Sequence, residues 1–129
     1  MINDIRQLLQ NEPTINVLVG TNVFVTKANT GSTMPRIVLH QMGSDECHDL
    51  EKTGDSRIVE IDVDCEGDSA QDAYGVAAAV REFIQDYTGA TVAGGIVIDS
   101  VKMDDEHEKK AEKTTQYAVT VPIEVLYRP

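Results

Sequence analysis

From Thr115 to Arg128 every second residue in the middle of the run is apolar: Tyr117, Val119, Val121, Ile123, Val125 and Tyr127. Successive side chains of a strand point to opposite faces, so the run reads as one long strand with an unbroken apolar face. Arg57 to Cys65 repeats the pattern, with Val59, Ile61, Val63 and Cys65 alternating against Glu60, Asp62 and Asp64. Two such strands commit the chain to a sheet that buries one face, and that face needs a cover. The cover lies between them. Ala73, Val76, Ala77, Val80, Phe83, Ile84 and Tyr87 recur at spacings of three and four, the signal of a long amphipathic helix. Asp68 with Gln71 and Ser69 with Asp72 make two overlapping capping boxes, and Gly89 stands where a helix ends. Aromatic residues are only 5% of the chain and Trp is absent, so the core must rest on Val, Ile, Leu and Ala.

The remaining segments fill in around that frame. Ile2, Ile5, Leu8 and Leu9 predict a short N-terminal helix stopped at Asn11-Glu12-Pro13. Ile15 to Val19 fits either a helical turn or a strand; Thr14 as a cap and Gly20 as a stop favour the turn. Asn22 to Lys27 reads as a first strand and Arg36 to Met42 as a second, with Ile37 and Leu39 on one face and Val38 and His40 on the other. Gly43 to Asp55 is polar and reads as an extended hairpin arm or loop. Gly95 to Met103 reads as another strand, and the charged run Asp104 to Lys113 as its turn. Pro122 lacks a ladder donor, which places the last strand at a sheet edge or a bulge. The expectation is a single α+β domain over residues 1–129: a mostly antiparallel sheet with one long helix and a short N-terminal helix packed on it.

Charge narrows the function. Eleven basic and twenty-two acidic residues give a net charge of −11, and such a surface repels phosphate backbones and anionic membranes alike. Cys47 and Cys65, the only cysteines, have neither a disulfide framework nor zinc spacing and read as reduced thiols. The start of the chain shows no signal-peptide pattern, and no stretch has the roughly 18 apolar residues needed to span a bilayer.

No catalytic site emerges. His48 follows Cys47 directly, and neighbours on a strand face opposite ways, so a Cys–His nucleophile pair would need a special loop. Cys47, His48 and Asp49 are metal-ligand types without a completing set. The Glu60, Asp62 and Asp64 ladder has three readings: a hard-cation site, a solvated sheet face, or a face that meets basic groups of a neighbouring subunit. Residues two apart on a strand lie about 7 Å apart, which makes a single ion spanning all three difficult. Gly94-Gly95 is no nucleotide fingerprint, Asp104 to Lys110 lacks EF-hand spacing, and Ser69 is taken by capping. The expectation is a non-enzyme without cofactor or metal.

Several segments together resemble the tail-completion, or tail-terminator, proteins of long-tailed bacteriophages. The N-terminal helix leads into Ile15-Asn16-Val17-Leu18-Val19-Gly20. Met34-Pro35-Arg36-Ile37-Val38-Leu39 is similar to that family's proline followed by an apolar strand. Arg57 to Val63 followed by Asp68 to Phe83 resembles its strand feeding an Ala-rich helix, and Val119 to Tyr127 its long final strand. The arm Gly43 to Asp55 and the acidic tip Asp104 to Glu112 depart from the pattern.

The resemblance implies a virion protein of the tail or neck, made in the host cytoplasm. It implies a homo-oligomeric ring, typically a hexamer, that terminates the tail tube and offers a surface for head–tail joining. Its partners would be the tail tube protein and head–tail connector proteins, and DNA would pass through without specific binding. Within that picture the arm residues Cys47, His48, Asp49, Leu50 and Glu51 are candidates for inter-subunit or tube contacts. Glu60, Asp62 and Asp64 are candidates for an acidic lumen or interface face. The competing expectations are another neck or head-completion connector, and a monomeric acidic module that inhibits a basic protein by charge mimicry.

Overall fold

A computed structural model of the chain describes residues 2–28, 33–47, 56–85, 87, 90–92, 96–103, 107–110 and 117–128. In order these form α1 (Ile2–Asn11), α2 (Pro13–Val19), β1 (Val23–Val25), β2 (Arg36–Cys47), β3 (Ser56–Gly67), α3 (Ala70–Gln85), β4 (Ala90–Val92), β5 (Ile96–Met103), β6 (His107–Lys110) and β7 (Tyr117–Arg128). The strands make one sheet in the order β1-β2-β3-β7-β5-β4, with β6 also paired to β7. Among the described strands only the β1–β2 pair is parallel. The fold is α+β with a mostly antiparallel sheet, as the alternation implied.

The alternating residues meet as expected. Val59, Ile61, Val63 and Cys65 of β3 and Val119, Val121, Ile123 and Val125 of β7 are buried, together with Ile37 and Leu39 of β2. Against this face pack Ile5 and Leu9 of α1, Ile15 and Val19 of α2, and Ala73, Val76, Ala77, Val80 and Ile84 of α3. Burial of each larger aliphatic side chain contributes about 1.5–3 kcal/mol, so the β3–β7–α3 sandwich dominates stability. Of the two capping boxes, Ser69 is the one in use: its Oγ accepts from the Asp72 N–H at 3.1 Å.

Other expectations need correction. Glu12, not Thr14, is the N-cap of α2, and Pro13 supplies the first helical position without any side-chain cap bond. Proline's fixed φ is already helical there and its missing donor costs nothing. Gly20 does end α2: at φ 61° it donates its N–H to Asn16 O. The strand expected to stop at Met42 continues to Cys47 after an irregularity between Gln41 and Gly43. His107 to Lys110 of the charged run expected to be a turn is strand β6, because β7 offers it a ladder. Strand β4 gave no sequence signal at three residues' length. Pro122 lies in the middle of the sheet rather than at its edge, opposite Asp62 of β3. On the other flank β5 pairs as far as Ile123 and β6 begins at Thr120. The proline therefore falls between the described pairings of β5 and β6, where no described residue asks for its missing donor.

Candidate functional site

The sheet face turned away from the helices carries the charges, and register arranges them in rows across β2, β3 and β7. At one end Arg36 stands opposite Glu66, and Arg36 Nε donates to Glu66 Oε1 at 2.6 Å. The next row is Val38, Asp64 and Thr120. All three are buried, Asp64 being 6% and Thr120 1% exposed. Thr120 donates its hydroxyl to Asp64 Oδ1 at 2.6 Å, and His40 Nε2 lies 3.1 Å from Asp64 Oδ2. A carboxylate removed from water is tolerated only when hydrogen-bonded in this way. Asp64, expected on an exposed acidic face, is instead enclosed. Its hydroxyl partner sits 56 positions along the chain, so nothing local in the sequence could have revealed the pair.

Beyond that row the face opens. Asp62 is half-buried beside Pro122, and exposed Glu60 stands directly opposite Glu124. Like charges opposite each other in a ladder repel. No side-chain hydrogen bond or ion pair joins Glu60, Asp62 or Glu124 to another described residue. Lys102 of β5 occupies the register position next to Glu124. The ladder of three carboxylates thus splits into one internal structural group, Asp64, and two surface groups that Glu124 joins. Glu124 was absent from the candidate set, although its outward place on β7 follows from the same alternation.

The arm is a hairpin: β2 and β3 stay in register out to Cys47 opposite Ser56. Of the arm candidates, Cys47 is the last described residue of β2, while His48, Asp49, Leu50 and Glu51 lie outside the described residues. Met42, at the bulge near the arm's base, is 61% exposed. Cys65 is a free, buried thiol. Among the described residues no cluster of His, Cys, Asp or Glu could hold a metal ion, and no helix is long and apolar enough to cross a membrane.

Residues 3–128 match the family described as "Tail completion protein gp17". No curated protein matches the chain. Among solved structures it is similar to a chain of the "Virion of native gene transfer agent (GTA) particle", with a TM-score of 0.72 at 17% identity over 98% of this chain and 93% of that one. At that identity the likeness is one of fold.

Proposed function

The chain belongs to the tail completion protein family, a structural component of the phage virion, and from that premise we propose that it assembles into a hexameric ring closing the head-proximal end of the tail tube. The family match along residues 3–128 carries this reading. In it the ring stops tube growth and presents the surface to which head–tail connector proteins join. The enzyme reading has no support in this family, whose members complete tails.

Two features of the fold fit the role. Glu60, Asp62 and Glu124 form an acidic strip across β3 and β7, and a net charge of −11 leaves few cations to hold phosphates. A lumen lined by such a strip would let DNA slide through without condensing on the wall. Asp64, being enclosed, takes no part in that lining. The β2–β3 pair continues in register as far as Cys47 opposite Ser56, and in this reading the arm residues Cys47, His48, Asp49, Leu50 and Glu51 contact a neighbouring subunit or the tube.

The test is the native mass by light scattering behind size exclusion, with and without purified tail tube protein. A hexamer of 14.1-kDa chains, about 85 kDa, formed alone or with tube protein and accompanied by arrest of tube growth, is the expected result. A persistent monomer indifferent to the tube would overturn it in favour of a neck connector or a charge-mimic module. Deletion of Glu46 to Lys52 should abolish assembly; normal assembly would remove the arm from the interface.

A further inference from the structure

The sheet has two ends that differ in how their edges are finished. At the edge formed by β1, Ile37 donates to Asn22 O at 2.9 Å and Thr26 to Leu39 O at 2.7 Å, so Phe24 faces β2 and Val23 and Val25 face outward. Those outward groups are partly used up at home. The Val23 N–H donates to Thr21 O at 2.9 Å, and Val25 O accepts from the Lys27 N–H at 2.7 Å. Thr26, at φ 68°, then turns the chain away. A three-residue strand finished like this is closed to a further strand.

β2 outruns its neighbour. β1 covers only Ile37 to Leu39, and beyond Leu39 no described residue pairs with that side of β2 as far as Cys47. From Ser44 to Cys47 the strand is in unbroken register with β3, so its outer backbone groups are presented as a ladder. Register then ties this free edge to the opposite one. Glu46 pairs with Arg57, Arg57 with Tyr127, Tyr127 with Ile98, and Ile98 with Ala90. The free stretch of β2 and the outer strand β4 therefore lie at the same level of the sheet, on its two opposite edges. All four of these pairings are antiparallel, so β2 and β4 run in the same direction.

We propose that successive subunits join through these edges, β4 of one copy adding in parallel to the Ser44–Cys47 edge of β2 in the next. Two different edges at one level make a heterologous contact, which repeats around a rotation axis and gives a ring where that rotation closes. Rotation about an axis along the strands preserves strand direction, and that is why the pair is parallel. A two-fold pairing of β2 with β2, or of β4 with β4, would end at a dimer. Backbone hydrogen bonds supply the contact, as in other strand additions. The proposal rests on the ring reading above and specifies its interface.

Cysteine cross-linking of the full chain tests it. Cys47 is already on the β2 edge and Cys65 is buried, so one new thiol on β4 suffices: Ala90→Cys, Thr91→Cys or Val92→Cys, scanned to find the register. A disulfide needs Cβ atoms about 3.5–4.5 Å apart, which only close neighbours reach; a short bis-maleimide extends the reach. The expected result is a covalent ladder from dimer up to the closed ring on non-reducing gels, collapsing to monomer when Cys47→Ser is added. Dimers that survive Cys47→Ser would overturn the proposal, since β4 would then meet β4. So would a ring of normal native mass that cross-links through Cys47 at none of the three positions; that outcome leaves the ring reading intact. A wild-type chain that never reaches ring mass, with or without tube protein, instead refutes the ring itself, and the edge pairing with it.

Discussion

Thr120→Val removes a buried hydrogen bond on the sheet's outer face. The substitution keeps the side chain's shape and removes the hydroxyl that donates to Asp64 Oδ1 at 2.6 Å. Both residues are buried, so water does not simply replace the lost donor. A hydrogen bond to a charged group is worth about 1.5–3 kcal/mol net, and His40 still contacts the other carboxylate oxygen. A loss of about 2 kcal/mol is expected. With an unfolding entropy of about 2.1 cal/mol/K per residue, a chain of 129 residues has about 0.27 kcal/mol/K, and the melting temperature should fall by about 7 °C. Urea unfolding should show a lower midpoint at unchanged slope. Adding Asp64→Asn and the double variant completes a cycle whose coupling energy should be about 1 kcal/mol. A Thr120→Val protein within about 0.5 kcal/mol of wild type, with no coupling, would mean that Asp64 is held by other groups and that this account of its burial is wrong.

Three further substitutions have definite expectations. Gly67 joins β3 to α3, and a Cβ there would lie 2.7 Å from Asp72 Cβ and 2.9 Å from Ala73 N; Gly67→Ala should cost about 1–3 kcal/mol by overpacking, seen in a thermal melt. Ser69→Ala removes the acceptor for the Asp72 N–H and should lower stability by about 1 kcal/mol, with Ser69→Asp restoring most of it in the same urea titration. Gly20→Ala forces a side chain into φ 61°, ψ −126°, and a cost of about 1–3 kcal/mol should appear as a lower urea midpoint, although the space around that position is open.

What the sequence disclosed follows from where the physics is local. Alternation in β3 and β7 and the three-and-four spacing of α3 are imposed by burial of one face, so core residues from Val59 to Val125 were legible. The failures share a cause as well. Pro122 is acceptable mid-sheet because no described residue of β5 or β6 pairs with it, and the charged residues of β6 are strand because β7 is there to pair with. Neither fact is written in the residues concerned. Glu60, Asp62 and Asp64 looked equivalent as a ladder of carboxylates; His40 and Thr120, contributed by other strands, separate Asp64 from the rest. The arm was visible only as a polar stretch without a core of its own, and the open edge of β2 is a property of how short β1 is.

The position of β7 has a consequence for the way the chain is made. With β3 it is one of the two central strands, yet it follows β3 by tens of residues: Arg57 pairs with Tyr127. During synthesis β2 and β3 can close as a hairpin early, and α3 can form on its own. The second flank of β3 stays unpaired until β7 has been translated, and β5 has only short β4 to lean on. Closing such a long loop costs entropy before any contact repays it, so the last step should be slow compared with hairpin formation. Until that step a nascent chain displays Val59, Ile61 and Val63 without Val125, Ile123 and Val121, their partners on β7, and this is when the protein is most exposed to aggregation and most in need of a chaperone.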